Sequence, residues 1–459
     1  MTELAEAFAA ATGQTYMDPT EGEQHRGQAR IAYRLAALYA DRLMFVRGLG
    51  WHVWDGSRWA VDEKDTATTA VLDVLRDALA DSLDDKELRA DVRKCETANG
   101  IAGVLSIASA LPVLRAGTDE LDADPYLFNC ANGTVDLRTR ELRPHNPADR
   151  ITRVAVGAYS PETDQSTWTD FLRTILPDTE RDYLQRVIGQ SVFGAVREHL
   201  FPVLTGTGAN GKGTAYGAVT HAMGDHAAII DPELLMASER GTGGPEMMQL
   251  FGARLVIGSE TEEGKQLDAA LMKRITGGDQ ITARNLYQPP ITWEPSHQLV
   301  YVTNHLPKVK GNDPAVWRRV RVIPFDVVVP EDQRDPELPE RLKLAADAVL
   351  TWAVQGWFDY EDMGGMGETA AVQQATDAYQ SDSDAVKRFT REHCHTGQHF
   401  HARTRDLFDA WTRWAESEGA ERLSEKAFGA ELDRLGFTGR KTNVGKVREG
   451  IGLPAEAND

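Results

Sequence analysis

Lys212 follows a glycine-rich stretch whose backbone could bind a phosphate chain. The stretch from Leu200 to Thr214 reads LFPVLTGTGANGKGT: an apolar run typical of a buried strand, then glycines. A glycine backbone can curl tightly enough to point several N–H groups at one phosphate chain, and a following helix offers its positive end to the same anion. Lys212 would then supply the positive charge for the β- and γ-phosphates of a nucleotide.

One position departs from the phosphate-loop pattern GxxxxGK[ST]. Laid on residues 206–213, the pattern needs a Mg²⁺-binding hydroxyl where Gly213 stands, and Thr214 comes one residue late. We expect either Thr214 or a water and an acidic residue to hold the metal ion. The predicted nucleotide-binding residues are Gly206, Gly208, Asn210, Gly211, Lys212, Gly213 and Thr214.

Two other interpretations of this stretch stay open at this point. GTGANG also satisfies the dinucleotide pattern GxGxxG, and Asp231 lies at about the spacing of its ribose-binding acid. The stretch could also be a glycine-rich turn between a strand and a helix, with no ligand.

Acidic residues follow the next apolar strand, in ARLVIGSETEEG. A strand that delivers carboxylates to the edge of a phosphate site meets the needs of phosphoryl transfer, with one acid near Mg²⁺ and another that orients water. We expect Glu260 to take part in metal binding, and Glu260 and Glu262 to form the acidic pair. Without the phosphate loop, an exposed acidic loop would be the better interpretation.

Three further segments carry polar or basic candidates. The run from Ile281 to Trp293 predicts a hairpin around QPP. The candidate DNA contacts are Lys273, which precedes this run, and Arg284, Tyr287 and Gln288 within it. The apolar run HQLVYVTNHLP ends at Asn304, which could position the hydrolytic water beside the phosphate loop. Arg318 and Arg319 in WRRVRVIPF could reach a neighbouring subunit's site and stabilise transition-state charge.

Composition limits the class of protein. A length of 459 residues with 41% hydrophobic residues suits a globular chain of roughly three domains. No apolar run is long enough for a membrane span, the N-terminus lacks a secretory pattern, and three scattered cysteines favour a reducing cytoplasm. The net charge of -20 argues against nucleic-acid binding over the whole surface but allows a local basic groove.

The order of patterns predicts several domains. We expect a disordered tail (1–26), an α+β N-terminal domain (27–158), a helical collar (159–198), an ATPase domain (199–362), a linker (363–382) and a winged-helix domain (383–455). Asp55-Gly56 and Asn132-Gly133 predict hairpins in the N-terminal domain. Its Trp51, Trp54 and Trp59 could stack on bases, but core packing is favoured.

The C-terminal unit carries a basic hairpin, GFTGRKTNVGKVREGIGL, after two helices. Arg440, Lys441 and Lys446 are its candidate duplex contacts. The histidines near Cys394 fit no standard zinc spacing, so solvated histidines at a helix end are the favoured interpretation.

Five segments in order, GTGANGKGT, LVIGSETEE, KRITGGDQITAR, LVYVTNHLP and WRRVRVIPF, closely resemble superfamily 3 helicases of the phage, plasmid and poxvirus primase-helicase branch. WDGSRW and NGTVDL resemble the domain that precedes the motor in that branch. Because the dinucleotide interpretation explains none of the last four segments, the resemblance disfavours it.

The resemblance implies an α/β AAA+-type motor that forms a ring, usually hexameric, and moves on single-stranded DNA with ATP and Mg²⁺. It implies roles for Lys212 and Thr214 at the phosphates and metal, for Glu260 and Glu262 as acids, for Asn304 as sensor and for Arg318 or Arg319 in trans. We expect a cytoplasmic phage, prophage or plasmid replication helicase without its own primase domain, so that any primase would be a separate protein.

Two alternatives remain: an origin-binding initiator with weak ATPase activity, for which Gly213 is the best argument, and a ring ATPase that acts on protein or packages DNA.

Overall fold

The computed structural model describes residues 19–237, 244–259, 264–309, 313–418, 420, 422–442 and 445–454. Its N-terminal part combines a helical cluster with a small sheet. The helices are α1 (Gln28–Tyr39), α2 (Thr66–Asp81), α3 (Lys86–Cys95) and α4 (Ala98–Ala108). The strands are β1 (Leu43–Val46), β2 (Gly50–Trp54), β3 (Trp59–Val61) and β4 (Arg115–Ala116), in the order β3-β2-β1-β4.

Both predicted hairpin turns are confirmed. The side chain of Asp55 accepts hydrogen bonds from the backbone N–H groups of Ser57 (2.8 Å) and Arg58 (2.9 Å), which closes the turn between β2 and β3. Trp59 is buried and its indole donates to the carbonyl of Pro147 at 2.9 Å, so core packing is confirmed for this tryptophan.

The predicted disordered tail is wrong for its last residues, whereas residues 1–18 lie outside the described part of the chain. Pro19–Gln24 forms a 3-10 helix. Glu23 forms ion pairs with Arg30 and Arg34 on α1, and these contacts fix the segment on the helical cluster.

A second small sheet joins the N-terminal part to the rest. Its strands are β5 (Leu127–Cys130), β6 (Gly133–Asp136) and β7 (Glu141–Arg143), in sequence order. The buried Asn129 donates to the carbonyls of Ser57 and Arg153, both at 2.9 Å, and accepts from Thr134 at 2.9 Å. Its amide therefore ties the two small sheets together.

A parallel five-stranded sheet forms the middle of the chain. In chain order its elements are α5 (Ser166–Ile175), α6 (Asp178–Gln190), β8 (Phe201–Thr205), α7 (Lys212–Met223), β9 (Ala227–Ile230), β10 (Leu255–Ser259), α8 (Ala269–Ile275), the hairpin strands β11 (Ile281–Ala283) and β12 (Ile291–Trp293), β13 (Gln298–Thr303), α9 (Pro314–Trp317), β14 (Val320–Pro324), α10 (Leu338–Leu344), α11 (Ala346–Met363) and α12 (Ala370–Ser383). The sheet order is β14-β8-β13-β10-β9. The strands predicted on the three apolar runs, before the phosphate loop, Glu260 and Asn304, are thus confirmed as β8, β10 and β13.

Helices cover both faces of this sheet, as a parallel sheet requires. One core contains residues of α5, α6, α7 and α11, including Trp168, Val187 and Trp357. The other face packs Val203 and Tyr301 with Trp317 and Tyr379. A separate helical collar over 159–198 is therefore wrong, because α5 and α6 belong to the same core as the sheet.

The predicted linker 363–382 also differs from the structure. It is mostly the helix α12, because Val372, Thr376 and Tyr379 present a buried face to the sheet. Before it, the helices α10 and α11 are divided at Ala345.

The C-terminal part contains α13 (Ala385–His393), β15 (His395–Arg403), α14 (Thr404–Ser417), α15 (Glu425–Arg434), β16 (Gly439–Thr442) and β17 (Gly445–Gly452), with the sheet order β15-β17-β16. His395, His399 and His401 lie on β15, so their placement at a helix end is wrong, although they are exposed as expected.

The mixed α/β architecture is shown, whereas the AAA+-like motor and the winged helix stay predictions. The three cysteines are free. Among the described residues, none of the helices combines the length and apolar composition needed to cross a bilayer.

Candidate nucleotide site and nucleic-acid interface

The phosphate loop, residues 206–213, connects the end of β8 to the start of α7. Gly211 caps α7 with a left-handed backbone (φ 77°), and a Cβ there would lie 2.7 Å from Cγ2 of Ile175. A Cβ at Gly206 would lie 2.4 Å from the carbonyl oxygen of Phe325. Glycine is required at both positions because the loop is pressed between α5 and the chain that follows β14.

Lys212 is the first residue of α7 and is buried. Its ammonium group donates to the carbonyl of Gly206 at 2.8 Å and to the side-chain oxygen of Asn304 at 3.1 Å. The contact with Asn304 follows from the sheet order, because β13 pairs with β8 and Asn304 comes directly after β13. The structure therefore brings two sequence-predicted site residues together at the carboxyl edge of the sheet.

Asn210 faces inward instead of toward the loop's open side. Its buried amide donates to the carbonyl of Phe325 at 2.9 Å, and Ala209 accepts from the N–H of Val329 at 2.9 Å. Any contact of Asn210 with a phosphate would therefore come from its backbone, whereas its side chain ties the loop to the segment after β14. Sequence reasoning missed Phe325 in this role, and its position at the end of an apolar strand gave no signal of it.

The expected metal ligands are only partly described. Gly213 is exposed and a Cβ there would meet open space, whereas Thr214 is half-buried on the first turn of α7. Glu260 and Glu262 lie outside the described residues, but β10 ends at Ser259, beside β13. No cluster of three or more potential metal-binding side chains occurs within the described ranges.

The donor set fits the phosphates of a nucleotide. The ammonium group of Lys212 is buried, donates to two neutral oxygens and stands at the positive end of the helix α7. Among the described residues, Thr214 could contribute a metal ligand.

Arg318 and Arg319 lie at the amino ends of the strands of the same sheet, whereas the phosphate loop lies at their carboxyl ends. Both precede β14, which runs parallel to β8 and aligns Val320 with Phe201 and Pro324 with Thr205. The four residue steps from Val320 to Pro324, at about 3.3 Å each, put the start of β14 roughly 13 Å from the end that adjoins the phosphate loop, and both arginines precede that start. Neither arginine can therefore reach the phosphate loop of its own chain.

The two arginines differ in environment. Arg318 is exposed, whereas Arg319 is buried and donates to the carbonyl of Ala315 at 2.7 Å. Burial, together with the charge of Arg318, lowers the pKa of Arg319 below the usual arginine value.

The hairpin β11–β12 presents a polar and aromatic tip. Tyr287 is fully exposed with a left-handed backbone (φ 63°), and Arg284, Leu286 and Gln288 beside it are exposed too. Lys273 differs from these residues, because its ammonium group pairs with Asp313 at 2.8 Å. That pair holds the residue that caps α9, just before Arg318.

The basic residues of the C-terminal hairpin are partly neutralised. Arg440 pairs with Glu449 at 3.1 Å, and Lys446 lies 3.9 Å from Asp433. Lys441 is exposed and has no ion pair to any residue that the structure describes. Arg448 is buried and donates to the carbonyl of Gly429 at 2.7 Å, so it stabilises the C-terminal part and is not available to a ligand.

Arg254 joins the N-terminal part to the part of the chain that contains the five-stranded sheet, and sequence reasoning missed it. Its buried guanidinium donates to the carbonyls of Val192 and Leu127, both at 2.9 Å, and of Pro125 at 3.3 Å. Burial lowers the pKa of Arg254 to about 10. An isolated arginine before an apolar strand carries no signal of such a role.

Two protein families match separate segments of the chain. The family described as D5 N terminal like matches residues 32–177, and a family of unknown function, DUF5906, matches residues 204–319. Residues 204–319 include the phosphate loop, Asn304 and both arginines.

Viral proteins are among the relatives. The chain is 34% identical over 212 residues to L207/L206 of Acanthamoeba polyphaga mimivirus, a protein with a helicase name, and the match covers 45% of this chain and 22% of that protein. It is 23% identical over 443 residues to the helicase-named 022R of Frog virus 3, covering 78% of this chain and 45% of that protein. It is 25% identical over 232 residues to C962R of African swine fever virus, which has a primase name, covering 48% of this chain and 24% of that protein.

These matches support membership of the phage and viral primase-helicase family. The chain carries a D5 N-terminal-like domain, and the segment with the predicted phosphate loop follows it. The chain spans less than half the length of these three curated relatives. The apo C-terminal region of NrS-1 overlaps 66% of this chain, and 86% of its own length, at 11% identity and a TM-score of 0.37, a likeness too loose to carry an inference.

Proposed function

We propose that this chain is an ATP-dependent replicative DNA helicase of a phage, prophage or plasmid that works as a ring, hexameric in its active form. The observation that carries the proposal is the pairing of Lys212 with Asn304 at the carboxyl edge of the parallel sheet. A phosphate-contacting ammonium and a water-positioning amide at one edge are the parts that phosphoryl transfer needs. The helicase names of the relatives support the choice of DNA as the substrate.

In this proposal each residue at the loop has a distinct role. Lys212 exchanges its contact with the carbonyl of Gly206 for the β- and γ-phosphates, and the N–H groups at the start of α7 bind the same anion. Asn304 remains beside the ammonium and orients the attacking water, with Glu260 and Glu262 as the acids expected next to it. Mg²⁺-ATP, when bound, supplies the free energy for movement along the DNA.

The arginines act between subunits in this proposal. Because Arg318 lies at the edge of the sheet opposite to its own phosphate loop, its exposed guanidinium serves the site of a neighbouring copy. Charge stabilisation supplied in trans is a known device of nucleotide hydrolysis. This arrangement explains why hydrolysis would require a ring, since the site of an isolated subunit would lack the arginine of a neighbour.

Two surfaces hold DNA in the proposed helicase. The hairpin tip with Arg284, Tyr287 and Gln288 grips the single strand. The C-terminal part has the element order of a winged helix, and Arg440, Lys441 and Lys446 on its basic hairpin contact duplex phosphates. Lys273 keeps the tip's supporting helices in place through Asp313.

An origin-binding initiator with weak ATPase activity is the second candidate. Gly213 favours it, because the missing hydroxyl weakens the case for tight metal binding. A ring ATPase that acts on protein or packages DNA would need neither the exposed hairpin tip nor the basic C-terminal hairpin.

One assay separates these functions: Mg²⁺-dependent ATP hydrolysis with and without single-stranded DNA. We expect Lys212→Ala to abolish turnover, because removing the ammonium withdraws several kcal/mol of transition-state stabilisation. Glu260→Gln should retain ATP binding and lose turnover. Lys343→Ala, which removes a surface lysine paired with Glu340, is the control and should be fully active. Equal turnover by all four proteins would rule out the motor, and turnover without stimulation by DNA would favour the protein-acting ring.

A further inference from the structure

An aromatic pair and two arginines lie together at one edge of the N-terminal part. Phe45 on β1 and Trp51 on β2 are cross-strand partners, and their ring centroids are 5.2 Å apart in an edge-to-face arrangement. Arg115, on the edge strand β4, aligns with Phe45 on the other side, and Arg47 directly follows β1. Both rings are half-buried and both arginines are exposed. We call these four residues the aromatic-basic edge.

The positive charge of this edge is not neutralised locally. Neither Arg47 nor Arg115 has an ion pair or a side-chain hydrogen bond within the described part of the chain. Two acids of the neighbouring segments are engaged elsewhere: the carboxylate of Asp62 accepts from the N–H groups at the start of α2, and Glu120 pairs with Arg150. In a chain with a net charge of -20, two uncompensated arginines next to half-exposed aromatic rings form a local anion-attracting surface.

The aromatic-basic edge adjoins the hairpin β11–β12. A Cβ built at Gly48, the residue after Arg47, would lie 3.4 Å from Cδ1 of Ile291 and 3.7 Å from Cγ of Pro289. The turn between β1 and β2 is therefore next to the hairpin, close to the point where the loop that carries Arg284 and Tyr287 leads into β12. Arg47 therefore lies next in the chain to a residue that adjoins the strand leading from the hairpin tip.

We propose that the aromatic-basic edge is a second single-stranded DNA site, which continues the path of the strand held by the hairpin tip. The inference rests on the proposed function. Arg47 and Arg115 contact successive phosphates, and a base stacks on the Phe45–Trp51 pair. Arginines beside aromatic rings suit single strands of any sequence, because every base offers a π-face and every nucleotide a phosphate. Duplex DNA suits the edge poorly, because its bases are already stacked.

The test is the binding of a fluorescein-labelled oligothymidylate to the full chain, titrated at several salt concentrations. The double variant Arg47→Ala/Arg115→Ala should bind more weakly, and its log-log salt slope should fall by about 1.4, or roughly 0.7 for each lost phosphate contact. The control Arg93→Ala/Lys94→Ala removes the same charge from exposed positions on α3 and should match the wild type. Trp51→Leu should weaken binding roughly 5- to 100-fold with an unchanged salt slope, because stacking involves no counterion release.

Each result decides the inference. Unchanged affinity and slope in Arg47→Ala/Arg115→Ala would overturn it, and so would an equal loss in the control, since that would show a general charge effect. If Arg284→Ala/Tyr287→Ala weakens binding while Arg47→Ala/Arg115→Ala does not, only the second site falls and the proposed helicase stands. If the wild-type chain binds no single strand, both fall.

Discussion

Among single residues, Arg318 and Arg319 are adjacent in sequence but have different environments. We expect Arg318→Ala to lose ATPase activity with unchanged stability, because its guanidinium is exposed and serves another subunit. Arg319→Ala should instead lower the free energy of unfolding by about 1.5–3 kcal/mol, because it removes a buried charged donor from the carbonyl of Ala315. Chemical denaturation and ATPase rates of the two variants separate these effects. Loss of activity without loss of stability in Arg319→Ala would reverse the assignment.

The action of Arg318 in trans has its own test. Neither Arg318→Ala nor Lys212→Ala should hydrolyse ATP alone, but mixed rings should recover part of the activity. Recovery is expected because some interfaces combine an intact Lys212 with an intact Arg318 from the neighbour. Mixing each variant with itself is the control. Confirmed mixed rings without any recovery would place Arg318 in its own subunit's site, against its position at the end of β14 that is opposite to the phosphate loop.

Sequence reasoning reached some of these residues and not others for a physical reason. Lys212 and Asn304 could be found because each stands at the end of an apolar strand, and parallel strands bring their carboxyl ends to one edge. The inward turn of Asn210 and the burial of Arg319 depend on the carbonyls of Phe325 and Ala315. Such backbone acceptors are available to any side chain and leave no mark in the sequence.

Among elements, the crossing of α6 and α11 is unusually close. A Cβ at Gly189 would lie 2.3 Å from backbone atoms of Gly356 and Trp357. Because backbone cannot move aside as a flexible side chain can, Gly189→Ala should cost roughly 1–3 kcal/mol of stability. Gly217→Ala on α7, where a Cβ meets nothing within 4 Å, should add up to about 1 kcal/mol. Denaturant titrations would show opposite signs, and equal effects would mean that the crossing is looser.

We expect changes at the hairpin tip and changes in the C-terminal part to impair different activities. Removing residues from 385 onward, the start of α13, should weaken duplex binding and flatten its salt dependence by about 0.9 in log-log slope per lost phosphate contact. ATPase activity stimulated by single strands should survive. Arg284→Ala/Gln288→Ala should do the reverse, so that unwinding fails while duplex affinity persists. Identical losses in both variants would contradict this division of labour.

For helices, strands and turns, the sequence predicted which elements exist better than it predicted which of them stand apart from the main core. Strands β8, β10 and β13 of the central sheet stood out as apolar runs, whereas β9 was missed, and the turns at Asp55 and Asn132 had strong local signals. The collar and the linker were wrong because a stretch of chain cannot show from its own residues what it packs against. For α12, three buried side chains spaced along a polar helix decide the matter, and they are a weak periodic signal.

For the molecule as a whole, buried histidines predict acid sensitivity. Burial lowers the pKa of His297 to about 4 from a usual value near 6.5, so the folded chain resists protonation there and the unfolded chain does not. Stability is therefore complete above pH 6.5 and falls as the pH drops toward 4, by up to about 1.4 kcal/mol per pH unit. His226, whose pKa burial also lowers, acts in the same direction.

Unfolding free energies of His297→Gln and wild type between pH 7 and 5 check this expectation. The free energy of unfolding of the variant should decrease less steeply as the pH falls, whatever its stability at pH 7. The difference in slope should correspond to the uptake of at most one proton. His305→Gln changes an exposed histidine and should keep the wild-type slope. Parallel curves for His297→Gln and wild type would contradict the neutral buried imidazole.

The guanidinium of Arg254 has a consequence for how related chains can recombine. It belongs to the part with the five-stranded sheet, yet two of its three carbonyl acceptors belong to the segment around β5. A hybrid chain whose N-terminal half places that segment differently would bury the positive charge with too few acceptors, at a cost comparable to a sizeable share of a domain's net stability. Gene exchange between relatives should thus find viable junctions beyond Arg254 or before Pro125, but seldom between them.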